Sequence, residues 1–221
     1  MPLRSYVLQD VRIEIDPASI TPPLDAALRE GRYEHQEARA LTLLLRPEDT
    51  YFELGGGVGF ISTLASRIVR DAARVHVYEA NPALIPAIER TWAANGAAGA
   101  VYNCMLGTGK GEHDFFVSKA FWASSGQIDY GNARRIRVPQ RDFLRQLEKK
   151  EATFLMMDIE GGEGELLEKT LPARVRAVVA EYHPRIIGED KVRALWTRLE
   201  EQGFRLVPEA SAPMVRAHVR G

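Results

Sequence analysis

Apolar residues along this chain alternate between two rhythms. Residues 33–45 carry Ala38, Leu41, Leu44 and Leu45 on one side of a helical repeat. Arg46-Pro47 ends that helix, because a residue before proline is pushed out of helical geometry. Residues 50–54 then form a short strand run, followed at once by Gly55-Gly56-Gly57-Val58-Gly59. Residues 60–69 return to the helical rhythm through Ile61, Leu64, Ala65 and Ile68. Residues 74–78 are a second strand with β-branched Val75 and Val77. Pro82 suits the first turn of the next helix, which runs to Asn95-Gly96. Residues 100–103 make a third, weaker strand.

From Gly107 to Pro139 the pattern changes. Residues 113–117 and 135–138 are extended segments flanking a Gly/Ser-rich stretch, expected as an inserted hairpin or lid. Beyond it come a short helix at 143–149, a strand at 153–157, a helix at 163–171 and a buried strand at 177–181. Residues 192–202 are a helix closed by Gly203. Residues 204–207 and 214–219 are expected as a closing antiparallel pair. Strands alternating with helices predict an α/β fold on a mostly parallel sheet with helices on both faces. The expected organisation is an extension at 1–32 packing on a domain at 33–221, with an insertion near 110–139.

Composition narrows the functional classes. At 221 residues with 45% apolar and 27% charged residues, the chain can bury a single core. Lys and Arg total 29 against 30 Asp and Glu. That balance gives no general basic face for a phosphate backbone, so nucleic acid is not an expected partner. The single cysteine, Cys104, makes no intrachain disulfide. No apolar run reaches membrane-spanning length and the first residues lack a signal-peptide pattern. The expectation is a cytoplasmic protein without a membrane partner; nothing in the pattern fixes an oligomeric state.

The chemistry concentrates at strand ends. A glycine-rich turn between strand and helix lets a ligand approach bare backbone and free helix N–H groups. The spacing is Gly-x-Gly-x-Gly at 55, 57 and 59, and Phe60 stands where a dinucleotide loop needs its last glycine. No Lys-Ser or Lys-Thr follows, which excludes a P-loop. Glu79 ends the next strand, where open α/β sheets place a carboxylate for ribose hydroxyls. Glu53 adds a second acid beside the loop. Two carboxylates suit a ligand with a cationic end, such as S-adenosylmethionine, better than a pyrophosphate. The plainer alternative is a tight structural turn with a surface acid, and the order strand, glycines, helix, strand, acid favours the ligand.

Tyr51-Phe52-Glu53-Leu54-Gly55-Gly56-Gly57-Val58-Gly59-Phe60 resembles motif I of class I S-adenosylmethionine-dependent methyltransferases. Tyr78-Glu79-Ala80-Asn81-Pro82 is similar to their second motif. Asp158-Ile159-Glu160-Gly161-Gly162-Glu163 resembles the Asp-x-Glu-Gly-x-Glu signature of the FkbM subfamily, as do Phe121-Trp122-Ala123-Ser124-Ser125 and Glu181-Tyr182-His183-Pro184. Motif I more often has Asp and Ala where this chain has Glu53 and Gly56. The resemblance implies a Rossmann-like seven-stranded sheet with one antiparallel strand. It also implies O-methylation of a small-molecule hydroxyl on a sugar or polyketide. The cofactor-binding set it implies is Glu34, Glu53, Gly55, Gly57, Gly59, Glu79, Asn81 and Asp158. Cys104, Met105 and neighbouring Leu106 would lie near the adenine, or be ordinary core residues at a strand end.

Asp158, Glu160 and His183 follow two successive strands and are brought to one rim by a parallel sheet. They are the expected catalytic residues. Asp158 and Glu160 would hold the methionine ammonium or the acceptor. His183 is first choice as general base for its near-neutral pKa, ahead of Asp158. His183 as a satisfied loop histidine is the alternative. Together with Glu181 the three are also able to ligate a hard divalent cation, though nothing in the spacing demands a metal. Glu163 and Glu165 are read as charges favourable to a helix N-terminus. Arg134, Arg135 and Arg137 are a solvated strand face or a site for an acidic substrate. Two other functions stay open: methylation of a nitrogen on protein or nucleic acid, and a cofactor-binding module without catalysis.

Overall fold

The computed structural model describes residues 2–117 and 133–221. The chain begins with a hairpin not anticipated above, β1 (Arg4–Leu8) and β2 (Val11–Ile15), paired antiparallel. Tyr6, Leu8, Val11, Ile13 and Ile15 alternate inward, the period a half-buried strand requires. Gln9 and Asp10 turn the chain in left-handed backbone geometry, with φ of 45° and 62°. Helix α1 (Pro22–Arg29) buries Leu24 and Leu28 and leads to α2 (His35–Leu44).

The main sheet follows. It takes β3 (Tyr51–Leu54), then α3 (Phe60–Val69), β4 (Val75–Glu79), α4 (Ile85–Asn95) and β5 (Ala100–Asn103). An excursion of β6 (Met105–Gly107), β7 (Gly111–Val117) and β8 (Arg134–Asp142) leads to α5 (Phe143–Lys149). The sheet resumes with β9 (Phe154–Met157), α6 (Glu163–Leu166), β10 (Ala177–Glu181), α7 (Pro184–Ile187) and α8 (Glu189–Glu201). It closes with β11 (Phe204–Leu206) and β12 (Val215–Arg220).

The seven strands lie in the order β11-β12-β10-β9-β3-β4-β5. The central pairs are parallel, and β12 runs antiparallel to both its neighbours. This is the Rossmann-like sheet with one antiparallel strand that the sequence implied. Alternate residues supply two cores. Tyr51, Phe154, Met156 and Val179 pack with α2 and α3, whereas Phe52, Leu155, Met157 and Val178 pack with α5 and α8. Fully burying one such side chain is worth about 1.5–3 kcal/mol. The hairpin docks on α3 and α4: Asn95 donates to the Arg12 carbonyl at 2.7 Å and Arg67 donates to the Asp10 carbonyl at 2.9 Å.

Strand order reverses between β3 and β9. From β3 the chain steps outward to β4 and β5, then crosses back to β9 and β10. Open α/β sheets bind ligands in the crevice at the carboxyl ends of strands at such a reversal. The excursion exceeds a simple hairpin, because β6 pairs parallel with β8 to make a three-stranded sheet. Its inner face reaches the crevice. Residues 121–125 and Tyr130, expected in the lid and the family resemblance, lie outside the described residues. The helix expected at 163–171 is a single turn, α6.

Candidate active site

The glycine loop is shaped by what presses on it. Gly55 has φ of 85°, and a Cβ there would fall 1.8 Å from the Asp158 carbonyl oxygen. Gly56 leaves room for Val77 and Ile88, which explains glycine where motif I more often has alanine. Gly59 caps α3 against Ile88 of α4. Gly57, with φ of 52°, faces the crevice, where a Cβ would meet the Tyr33 hydroxyl at 3.0 Å and a Glu34 oxygen at 3.1 Å. Glu79 fixes the loop from the next strand. Its carboxylate accepts from the backbone N–H of Gly57 at 3.2 Å and of Asn81 at 2.7 Å.

The crevice holds about 990 Å³ of space free of protein atoms, counting its open mouth. Of the residues named from sequence, Gly55, Gly57, Glu34, Glu79, Cys104, Met105, Asp158 and Glu160 line it. Glu53, Gly59 and Asn81 do not. Glu53 lies buried beneath the loop, and Asn81 accepts from the Ala83 N–H at 3.1 Å to shape the turn after β4. Tyr33 and Glu165 also line the crevice and were not singled out as ligands. Thr108 donates to the Glu165 carboxylate, so Glu165 is more than a helix-end charge.

Electrostatics set the character of the crevice. Its walls carry Glu34, Glu79, Asp158, Glu160 and Glu165, and among the described residues no Lys or Arg lines it. Burial raises Glu34 to about 8, with the charges of Glu37, Glu181 and Glu79 acting the same way. Burial raises Glu79 to about 7 against the backbone hydrogen bonds that favour its ionised form. Asp158 is pushed well above the usual carboxylate range, first by burial and then by the charges of Glu181 and Glu37. One Asp158 oxygen, Oδ1, is buried with no hydrogen-bond partner. Crowded acids of this kind lower their energy by taking up a cation or protons. Glu34 and Glu160 also sit in left-handed backbone geometry, with φ of 47° and 48°, a conformation uncommon for non-glycine residues.

His183 requires a correction. It does not border the crevice but stands behind Asp158 and Glu160, its Nε2 3.7 Å from Asp158 and 3.5 Å from Glu160. Burial lowers its pKa, but a hydrogen bond to Glu163 and the charges of Glu163, Glu160 and Glu181 outweigh that, and the net shift is upward. The near-neutral, unperturbed base expected from sequence is therefore an imidazole drawn toward its charged form. Glu163 was undervalued too. It is fully buried, and its two oxygens accept from the Gly161 and His183 backbone N–H groups at 2.8 Å each. The ligand atoms of Asp158, Glu160 and His183 lie within 4.8 Å of one another, close enough to surround one cation. An imidazolium at His183 supplies positive charge to the two carboxylates without one. The arginine run at 134–137 is an exposed strand face, where Arg135 and Arg137 lie 3.5–3.7 Å from Asp114 and Glu112 on β7.

Against known proteins, a family model for the methyltransferase FkbM domain matches residues 53–206, most of the chain. The chain belongs to the FkbM methyltransferase family. With that membership it is a methyltransferase that uses S-adenosylmethionine, as the glycine loop and acids suggested. No curated protein matches it comparably. Solved structures share the fold at low identity. TYW2 of Pyrococcus horikoshii, crystallised with MeSAdo, is 12% identical with a TM-score of 0.52, covering 98% of this chain and 69% of that one. The tRNA (uracil-54, C5)-methyltransferase of Pyrococcus abyssi, in complex with S-adenosyl-L-homocysteine, is 12% identical with a TM-score of 0.52. That match covers 99% of this chain but 43% of the other. TYW2 of M. jannaschii, in complex with AdoMet, is 15% identical with a TM-score of 0.48, covering 99% and 84%.

The FkbM crevice suits that cofactor on its own features. Bare backbone at Gly57 permits close approach, and the carboxylate walls match a sulfonium and an ammonium. Among the described residues no helix is long and apolar enough to cross a membrane.

Proposed function

We propose that this FkbM methyltransferase methylates a hydroxyl of a small neutral molecule, such as a sugar or polyketide, at the Asp158 rim. The observation that carries the reading is the crevice wall, carboxylates without a described Lys or Arg. A phosphate backbone or an anionic acceptor would face repulsion there, whereas a polyol can donate hydrogen bonds to the same oxygens.

Glu79 would hold the ribose hydroxyls, Cys104 and Met105 the adenine edge, and Glu34 and Asp158 the cationic end. Glu53, Gly59 and Asn81 support the loop from beneath. Bound there, S-adenosylmethionine supplies a methyl carbon activated by a positively charged sulfur. The protein aligns the acceptor oxygen, and alignment alone is worth several kcal/mol. Asp158 takes the hydroxyl proton, as a carboxylate that lines the crevice at the end of a central strand. Glu160 shares the rim. His183, behind both, steadies their ionised forms.

Calorimetry with S-adenosylmethionine, S-adenosylhomocysteine and NAD tests the cofactor set. Micromolar binding of the first two, roughly −8 kcal/mol, and none of NAD is expected. A panel of hydroxyl, amine and RNA acceptors with labelled methyl donor tests the acceptor class. Turnover only on an amine or RNA would refute the hydroxyl assignment. Binding without turnover on any acceptor would favour a non-catalytic module.

A further inference from the structure

Glu163 holds His183 at two points and the loop before it at a third. Its Oε1 accepts the His183 backbone N–H at 2.8 Å and lies 3.2 Å from His183 Nδ1. Its Oε2 accepts the Gly161 N–H at 2.8 Å, so one buried carboxylate ties the loop after β9 to the loop after β10. His183 also caps the start of α7, where its carbonyl accepts the Ile186 and Ile187 N–H groups and fixes its backbone from the other side. Both Glu163 oxygens accept backbone N–H groups, so Nδ1 must carry the proton that points at Oε1. The ring is then left with Nε2 directed at Asp158 and Glu160.

We propose that Glu163 is the positioning residue of this site: it locks His183 as the Nδ1–H tautomer and aims Nε2 at the two rim carboxylates. Free histidine prefers the opposite tautomer, and the partner of one ring nitrogen decides what the other can do. Oriented this way, Nε2 faces Asp158 at 3.7 Å and Glu160 at 3.5 Å, and a proton it carries sits against both carboxylates. The charged groups around the ring come from every neighbouring segment: Glu163 on α6, Asp158 and Glu160 on the loop before it, and Glu181 on β10. The inference rests on the methyl-transfer reading for its chemical purpose, but the tautomer itself is independent of the acceptor.

Nitrogen-15 spectra of the histidine rings in the full chain test it, free and with S-adenosylhomocysteine. The His183 signal is the one missing in His183→Asn. On the alkaline side of its titration, the parent should show protonated Nδ1 and bare Nε2. In Glu163→Gln the proton should shift toward Nε2, giving the tautomer of free histidine or a mixture. A parent with Nε2–H overturns the proposal outright, even if every Glu163 variant fails to fold. A folded Glu163→Gln that keeps the parent tautomer overturns it as well. Calorimetry with S-adenosylhomocysteine on the same parent sample separates the two readings. Absent binding would sink the cofactor assignment and leave the tautomer result standing.

Discussion

The carbonyl oxygen of Asp158 lies where a side chain on Gly55 would begin, 1.8 Å from the position of its Cβ. The two residues immediately follow β3 and β9, the neighbouring strands at which the sheet order reverses. The Asp158 N–H donates to the Leu54 carbonyl at 3.0 Å, so the contact is a continuation of strand pairing. Glycine at 55 is what lets the acid of one motif sit beside the loop of the other.

Gly55→Ala should therefore cost stability and ligand together. The methyl group meets backbone, which cannot swing aside, and φ of 85° adds strain. Urea unfolding should show a loss of about 3 kcal/mol or more. A variant as stable as the parent would mean that β3 and β9 part more easily than their pairing implies.

Glu79→Ala should weaken S-adenosylmethionine by about 1–3 kcal/mol, the cost of leaving hydroxyl donors unpaired. The same change releases the Gly57 and Asn81 N–H groups, so the loop loosens in the free protein as well. Calorimetry on parent and variant checks it. Equal affinities would remove Glu79 from the ligand site.

A third change should affect stability alone. Asp49 is buried just before β3 and accepts from Arg176, Thr153 and the Arg46 N–H, at the end of the sheet away from the crevice. Removing one side of such a pair leaves Arg176 with the Leu44 carbonyl as its remaining hydrogen-bond partner, at a cost of about 3 kcal/mol. Asp49→Ala should unfold at lower urea, yet bind S-adenosylhomocysteine as the parent does while folded. Weakened binding in the folded variant would contradict the separation of the two ends.

What the sequence disclosed follows from where its signals are local. The strand, glycine loop, helix and acid from Tyr51 to Glu79 are contiguous, and their periods and turn residues specify them without tertiary help. The hairpin of β1 and β2 was equally legible, since Val11, Ile13 and Ile15 alternate cleanly, but Gln9-Asp10 lacks the glycine that usually marks such a turn. Glu163 was hidden for another reason. A glutamate in the first turn of a helix is ordinarily solvated, and only the return of β10 beside β9 buries it against His183. His183 suffered the same ambiguity: its chain position put it at the right rim, but which side of the acids it occupies depends on packing. Gly59 and Asn81 belong to motifs whose other residues line the crevice, yet their own contacts are with α4 and the turn.

The last prediction concerns pH. Folded Glu34 is raised to about 8, and Glu37 and Glu79 to about 7, from 4.5, with burial the leading cause in each. Between the unfolded and folded values the native chain holds more protons than the unfolded chain, so stability falls as pH rises through that interval. His183, also raised, works in the same direction, because its stabilising charge is lost as pH climbs through its folded value. His76 and His218 oppose this at the acid end: burial lowers both to about 4 from 6.5, so stability from them grows until pH passes 6.5. Above that point only the acid cluster and His183 remain. The melting temperature of the ligand-free protein should drop between about pH 6.5 and 8.5. A cationic ligand is worth most where the carboxylates are ionised, so the thermal shift produced by S-adenosylmethionine should widen over the same range. A flat or rising melting temperature in that window would show that the acids of the crevice are not buried against one another.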